Sequence, residues 1–155
     1  MSSYPSTTIS QSSQVSEPGP SYGKSGPRVL LIEDTPSNQR VMAVLVERFG
    51  LPYDVADTAT EGLAKYQQHR HPIILLDIRL PDLDGTELTA LLRSLAGDGK
   101  APYIIAQTAY ALPGQREEFL AAGMDDYLAK PISLSTFDAA ITRAVQVVQQ
   151  RQAAQ

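Results

Sequence analysis

Residues 73–77, four apolar side chains followed directly by Asp77, constrain the fold more than any other stretch of this sequence. A continuous run of isoleucine and leucine bounded by Pro72 and Pro81 predicts a short strand covered on both faces, as in parallel α/β sheets. Burying four such side chains contributes roughly 6–12 kcal/mol, comparable to the net stability of a whole domain, about 5–15 kcal/mol. We therefore expect a central strand with Asp77 at its carboxyl end, where ligands bind in open α/β sheets.

Composition and charge limit the classes of function. The 155 residues are 43% hydrophobic, which suffices for one domain of ordinary size and a tail. The formal net charge of −4 disfavours nucleic acid and anionic membranes as partners. The absence of cysteine excludes disulfides and thiolate metal sites and agrees with a cytoplasmic location. No run approaches about 18 consecutive apolar residues, so no membrane span is expected.

The chain divides into three predicted parts. Residues 1–27 are rich in Ser, Pro and Gly and almost lack aliphatic side chains, so they are predicted to form a disordered leader. Residues 28–148 carry the apolar runs and are predicted to form the folded domain. Residues 149–155 are a glutamine-rich C-terminal tail or a simple extension of the last helix.

Strands and helices alternate five times in the folded part. Such alternation requires a parallel sheet with right-handed crossovers. We expect an α/β, flavodoxin-like doubly wound (βα)5 sandwich with five parallel strands in the order 2-1-3-4-5. The predicted strands are residues 28–32, 53–57, 73–77, 102–107 and 126–129.

Two of the predicted helices carry specific expectations. The second is expected to end near His69 and His71, which we predict to be surface residues rather than metal ligands or phosphate donors. The inward face of the first helix is assigned to four apolar residues at helical spacing: Val41, Val44, Leu45 and Phe49.

Polar residues follow four of the predicted strands: Glu33, Asp34, Asp77, Thr108 and Lys130. In the order 2-1-3-4-5 the first and third strands flank a crevice, so the three carboxylates should converge there. Two carboxylates at about 4 Å repel by roughly 4 kcal/mol at an effective dielectric constant near 20, which protonation or a cation must relieve. Oxygen ligands without cysteine favour a hard ion, Mg²⁺ or Mn²⁺.

The same residues meet the needs of phosphoryl transfer. Asp77 is predicted to be the nucleophile that becomes an aspartyl phosphate. Glu33 and Asp34 would hold the ion, Thr108 would bond a phosphoryl oxygen, and Lys130 would pair with another. We expect a phosphoacceptor that assists its own phosphorylation and dephosphorylation and is not an enzyme.

Five stretches of the sequence together resemble the receiver domain of two-component response regulators: residues 29–34, 76–85, 108–109, 123–127 and 130–132. The resemblance covers residues 28 to about 148, and the wording of residues 33–39 and 121–127 is most similar to receivers attached to hybrid histidine kinases. It implies that a histidine kinase or a histidine-phosphotransfer domain donates phosphate to Asp77. It also implies Mg²⁺ bound by Glu33, Asp34, Asp77 and the carbonyl of Arg79.

The resemblance further implies a conformational switch. Tyr127 occupies the aromatic switch position of the family, and phosphorylation would draw Thr108 inward and let Tyr127 turn inward. The surface of the fourth helix, fifth strand and fifth helix is the expected signalling face and a candidate homodimer contact. Arg79 and Tyr110 lie where family members tune phosphoryl lifetime, so slow self-dephosphorylation is expected.

Two alternative functions stay open. Residues 82–86 reproduce the Asp-x-Asp-Gly-Thr motif of haloacid-dehalogenase-type phosphatases. In that class the first Asp directly ends a strand, whereas Pro81 precedes Asp82 here, so Asp82 and Asp84 are predicted to shape the loop and cap the third helix. The second alternative is a phosphorylation-independent protein-binding module on the same scaffold.

Overall fold

A computed structural model describes residues 26–97, 101–109 and 112–153 of the chain. The predicted leader lies almost entirely outside these residues. Five strands and five helices alternate: β1 Val29–Ile32, α1 Pro36–Glu47, β2 Tyr53–Ala56, α2 Ala59–His69, β3 Ile73–Asp77, α3 Gly85–Ala96, β4 Tyr103–Thr108, α4 Gln115–Ala121, β5 Asp126–Ala129 and α5 Leu134–Ala153.

The strands form one parallel sheet in the order β2-β1-β3-β4-β5. The predicted doubly wound topology is confirmed, and β3 is the central strand. Every residue of β3 is buried, including Asp77 at its end. In register, Asp77 lies opposite Gln107 of β4, and Thr108 lies opposite Ala129 of β5. The carboxyl ends of the strands therefore meet along one edge of the sheet, which positions the site.

The continuous apolar runs are explained by two hydrophobic clusters, one on each face of the sheet. Successive strand residues point to opposite faces, so Leu31 and Leu75 pack against α1 and α5, while Ile32 and Leu76 pack against α2, α3 and α4. Neither face of the central strands needs polar residues, because helices cover both.

The inward face of α1 differs from the prediction at two of four positions. Leu45 and Phe49 are buried as expected, but Val41 is 50% exposed and Val44 is 57% exposed. The buried face follows the spacing i, i+3, i+4, i+7 from Met42, and Val41 and Val44 lie outside that stripe. Helix α1 consequently presents two apolar side chains to solvent.

His71 lies in the interior, so its predicted surface position was wrong, whereas His69 is exposed as predicted. Helix α2 ends at His69, and its C-cap residue Arg70 has a left-handed backbone, φ 51°, before the chain enters β3. His71 Nε2 lies 2.7 Å from Asp54 Oδ2, and the Arg28 guanidinium donates to the same carboxylate at 2.8 Å. This amino-edge cluster, Arg28, Asp54 and His71, lies at the end of the sheet away from Asp77.

Charge and burial set the protonation of the amino-edge cluster. The hydrogen bond from Arg28, with help from His71, holds the pKa of Asp54 well below its usual range. Burial lowers the pKa of His71 despite the neighbouring carboxylate. His71 is therefore a neutral ring at neutral pH that donates to an ionised Asp54.

The last helix runs further than residue 148. Its buried residues include the four that helical spacing predicts: Phe137, Ile141, Val145 and Val148. The Ser133 hydroxyl accepts from the Thr136 N–H at 3.2 Å, as a capping residue does. The helix continues to Ala153, so the glutamine-rich segment extends α5 over the residues that the structure describes.

The amino-edge cluster predicts how stability depends on pH. The pKa of His71 in the folded chain lies below its ordinary value of 6.5, so the unfolded chain binds more protons once the pH falls below that value, and the free energy of unfolding decreases. Between about pH 7.5 and about pH 5.5 the free energy of unfolding should therefore decrease more in the wild type than in His71→Gln, because glutamine cannot take up this proton. Urea denaturation at both pH values measures the difference. The exposed His69→Gln variant is the matched control and should keep the wild-type loss; an equal loss in His71→Gln would contradict the prediction.

Candidate functional site

Three carboxylates meet at the carboxyl edge of the sheet. Glu33 and Asp34 directly follow β1, and Asp77 ends the adjacent strand β3. One carboxylate oxygen from each residue lies within 4.8 Å of the others. Glu33 and Asp77 are buried, whereas Asp34 is exposed to solvent. The predicted convergence of these side chains is present in the structure.

Lys130 bridges two of the carboxylates. It follows β5, and its backbone N–H donates to the Thr108 carbonyl oxygen at 2.7 Å. Its Nζ lies 3.1 Å from Asp77 Oδ2 and 3.4 Å from Glu33 Oε1. One ammonium thus faces three carboxylates, and the cluster has an excess of negative charge.

The protonation of Glu33 reflects this excess. Burial raises the pKa of the Glu33 carboxyl, and the nearby Asp77 charge raises it further. The Thr35 N–H, which donates to Glu33 Oε2 at 3.1 Å, and the Lys130 ammonium act in the opposite direction. The ionised form of Glu33 is therefore disfavoured unless further positive charge lies nearby.

The donor set of the cluster fits a hard divalent cation. All three side chains offer oxygen, and within the described part of the chain no other group of three or more acidic or histidine side chains meets so closely. Mg²⁺ favours carboxylates and retained water, which the exposed side of Asp34 allows. The Arg79 N–H donates to Asp77 Oδ1 at 2.9 Å; the role of the Arg79 carbonyl as a ligand stays a prediction.

The two predicted switch residues lie in adjacent strands. Thr108 is buried at the end of β4, and Tyr127 of β5 is half-buried. The Tyr127 ring lies 6.3 Å from the Phe119 ring of α4, centroid to centroid. This contact joins β5 to α4 on the surface expected to signal, while the movement of either residue stays a prediction. Tyr110 lies outside the described residues.

Asp82 and Asp84 have structural roles that separate them from the acidic cluster. Asp84 caps α3 as predicted, with its Oδ1 2.7 Å from the Thr86 nitrogen. Asp82 caps α2 instead of α3: its carboxylate accepts from the N–H groups of Ala59 at 2.9 Å and Thr60 at 3.0 Å. The loop after β3 is thereby tied to the start of α2. Hydrogen bonding by Thr60 and these N–H groups lowers the pKa of Asp82.

Sequence reasoning missed two glutamines near the site. Gln39 Nε2 donates to the Glu33 carbonyl oxygen and to Asp57 Oδ1, both at 2.6 Å, which fixes the loop after β1. Gln107 directly precedes Thr108 and is 1% exposed. A polar residue within an otherwise apolar buried strand was a signal that could have singled out Gln107.

Comparison with known families identifies the architecture. The sequence model of the response regulator receiver domain matches residues 29–142. The chain belongs to the response regulator receiver family.

The receiver is similar to parts of larger kinases. Over 104 residues it is 36% identical to the signal transduction histidine-protein kinase BarA of Escherichia coli, a match covering 67% of this chain and 11% of that kinase. Hybrid signal transduction histidine kinases of Dictyostelium discoideum are also similar. The chain therefore spans only a small part of the length of these relatives, as expected from the resemblance to receivers of hybrid kinases.

Solved receiver structures share the fold. The receiver domain of the sensor histidine kinase PA1611 from Pseudomonas aeruginosa is 36% identical, with a TM-score of 0.70, and the match covers 79% of this chain and 99% of that one. In that crystal structure a magnesium ion is coordinated in the active site cleft. The receiver domain of Ssk1 from Saccharomyces cerevisiae, co-crystallised with the histidine phosphotransfer protein Ypd1, has a TM-score of 0.72 at 24% identity, covering 77% and 89% of the two chains.

Among the described residues, no helix combines the length and the apolar character needed to cross a bilayer.

The hydrogen bonds of Asp82 predict that its replacement lowers the stability of the fold without altering the acidic cluster. Asp82→Ala removes the acceptor of the Ala59 and Thr60 N–H groups, while Thr58 still accepts from Glu61, and should lower the free energy of unfolding by about 1 kcal/mol. Chemical denaturation measures the change. The exposed Gln146→Ala in α5 is the control and should stay near the wild type; a stability of Asp82→Ala equal to that of the control would show that the cap contributes nothing.

Proposed function

We propose that this receiver accepts a phosphoryl group on Asp77 from a histidine kinase or a histidine-phosphotransfer protein. The observation that carries the proposal is the position of the Asp77 carboxylate, which ends the central strand beside Glu33 and Asp34 and lies 3.1 Å from the Lys130 ammonium. The similarity to histidine kinases that contain receivers supports this class of donor.

The transfer step uses the carboxylate as nucleophile. An oxygen of Asp77 forms a bond to phosphorus while the phosphorus–nitrogen bond of the donor phosphohistidine breaks. The electron pair of that bond remains on the imidazole nitrogen, which takes a proton from solvent. The Arg79 N–H at Oδ1 and Lys130 at Oδ2 hold the carboxylate in a fixed orientation before the donor arrives.

Lys130 and Thr108 can stabilise the aspartyl phosphate that forms on Asp77. The incoming group adds negative oxygens next to carboxylates that already repel each other. Lys130 can move its charge-assisted hydrogen bond from Asp77 to a phosphoryl oxygen, and the Thr108 hydroxyl can donate to another. These residues therefore assist phosphorylation and dephosphorylation of the chain itself, and the receiver is proposed to be a phosphoacceptor rather than an enzyme with a separate substrate.

Glu33, Asp34 and Asp77 are the residues that would hold Mg²⁺, with the carbonyl of Arg79 as a further ligand. When bound, the ion supplies positive charge that offsets the carboxylates and the phosphoryl oxygens. The magnesium ion in the cleft of the PA1611 receiver supports this assignment.

The output is proposed to pass through the face made by α4, β5 and α5. A shift of Thr108 toward the phosphoryl group vacates space at the end of β4, and the Tyr127 side chain turns into it. The Tyr127 contact with Phe119 of α4 would then break or change. The altered face would bind a downstream protein or a second copy of the receiver.

The phosphoacceptor proposal predicts a single site of modification. Treatment with acetyl phosphate and Mg²⁺ should add one phosphoryl group, and mass spectrometry after borohydride reduction should map it to Asp77. Asp77→Asn should form no adduct, because an amide is a poor nucleophile. Asp82→Ala is the matched control and should be modified like the wild type. An adduct on another residue, or none, would refute the proposal.

The metal assignment predicts stabilisation by Mg²⁺. An ion that binds only the folded receiver should raise the free energy of unfolding by about 2.7 kcal/mol at a free concentration of about 100 times its Kd. Thermal denaturation with and without Mg²⁺ measures the effect. Asp34→Asn removes one ligand charge and should show a much smaller shift, whereas Glu87→Gln, an exposed acid in α3, should respond like the wild type. The same shift in Asp34→Asn would place the ion elsewhere.

A further inference from the structure

The peptide group that joins Glu33 to Asp34 is held by a side chain of α1. Gln39 Nε2 donates to the Glu33 carbonyl oxygen at 2.6 Å. That carbonyl lies in the same peptide plane as the Asp34 nitrogen, so the bond fixes the plane from which Asp34 projects. Glu33 and Asp34 supply two of the three carboxylates in the acidic cluster. Gln39 therefore acts on both residues without being an acid of the cluster itself.

This bond matters more for Asp34 than for Glu33. Glu33 is buried, its N–H donates to the Ala56 carbonyl oxygen at 3.0 Å, and its Oε2 accepts from the Thr35 N–H at 3.1 Å. Asp34 is exposed, so packing does little to orient its carboxylate. The direction of the Asp34 side chain thus depends strongly on the backbone that Gln39 holds.

Asp57 fixes the Gln39 amide in turn. The Gln39 Nε2 group has two hydrogens, and it also donates to Asp57 Oδ1 at 2.6 Å. Asp57 follows β2, and its N–H donates to Glu61 Oε1 at 2.7 Å. The Glu61 N–H donates to Oγ1 of Thr58, the N-cap of α2, at 3.1 Å. A long and otherwise adaptable glutamine side chain is thereby tied to the start of a helix that carries no residue of the acidic cluster.

The chemistry of Gln39 and Asp57 suits a supporting role. The Gln39 amide supplies N–H donors without a charge, whereas a cationic side chain in its place would compete with a bound cation for the carboxylates. Asp57 carries a negative charge that attracts any nearby cation. Because Asp57 is exposed, water and salt screen this attraction. A test has to separate attraction by charge from positioning by the hydrogen bond.

We propose that Gln39 is a positioning residue for the magnesium ligands Glu33 and Asp34, and that Asp57 sets the orientation of Gln39. Gln39 holds the peptide between the two ligands so that both carboxylates stay directed into the cluster. Removing an outer partner of a metal ligand typically weakens metal binding by about 10–100-fold. The inference rests on the metal assignment within the proposed function, because it names the residues that prepare that site.

Titration of the full chain with Mg²⁺, followed by amide chemical shifts in NMR spectra, measures the Kd without any phosphoryl transfer. Gln39→Leu keeps a similar size and loses both hydrogen bonds, so the Kd should rise about tenfold. The exposed Gln67→Leu in α2 is the matched control and should bind Mg²⁺ like the wild type.

Two substitutions of Asp57 separate charge from positioning. Asp57→Ala removes the acceptor of the Gln39 amide and should raise the Kd for Mg²⁺. Asp57→Asn loses the same charge but keeps an oxygen that accepts from Gln39, so its Kd should stay close to the wild-type value. The double variant Gln39→Leu/Asp57→Ala should bind Mg²⁺ about as weakly as Gln39→Leu alone, since both changes remove one arrangement.

Two further measurements distinguish positioning from a general loss of stability. Asp82→Ala is also destabilised at the start of α2 but should bind Mg²⁺ like the wild type. With acetyl phosphate as donor, Gln39→Leu should need about ten times more Mg²⁺ for its half-maximal rate of phosphorylation. Its rate at saturating Mg²⁺ should stay near that of the wild type.

The outcomes are distinguishable. An unchanged Kd in Gln39→Leu, an equal loss of affinity in Asp82→Ala, or an equal loss in Asp57→Asn and Asp57→Ala would overturn the inference and leave the acceptor role of Asp77 standing. A wild type that binds no Mg²⁺ would overturn it together with the metal assignment. Failure of Asp77 to form an adduct, with the Mg²⁺ results as expected, would refute the proposed phosphoryl transfer and leave the positioning role of Gln39 standing.

Discussion

Electrostatic repulsion among three carboxylates at one edge of the sheet is the constraint on which the rest of the site depends. Glu33 and Asp77 are buried, and the Lys130 ammonium is the cation that contacts both. One ammonium cannot neutralise this group together with Asp34, so the site favours a species that brings positive charge. A divalent ion would meet this need.

The fold holds these carboxylates close together although they repel one another. Asp77 ends a strand whose other residues are all buried, and β1 on one side and β4 on the other fix its register. The hydrogen bonds of the central sheet hold the backbone of Asp77 next to the end of β1, which Glu33 follows. Burial of the apolar runs on both faces therefore stabilises an arrangement that the carboxylates alone would oppose.

Most of the architecture could be predicted from the sequence, because burial on both faces requires uninterrupted apolar strands such as residues 73–76. Spacing along α5 likewise identified Phe137 and Ile141 as buried. The convergence of Glu33, Asp34 and Asp77 followed from strand order, since each ends or follows a strand.

The incorrect predictions have one physical cause, because each depends on contacts between residues that are far apart in the sequence. In α1 the residue types alone did not distinguish Val41 from Met42, because the orientation of the helix on the sheet selects the buried stripe. His71 is buried because Asp54 meets it across the sheet edge, a contact that local pattern cannot reveal. Asp82 caps α2 rather than the helix that follows it for the same reason.

The two edges of the sheet differ in electrostatic character. At the amino edge the Asp54 carboxylate is matched by a guanidinium and an imidazole, whereas at the opposite edge negative charge outnumbers its counter-charge. The two ends of the strands thus differ in their balance of charge, and they lie about one strand length apart. Substitutions that stabilise the amino edge act far from the acidic cluster, which makes that edge the natural place to stabilise an engineered version of this receiver.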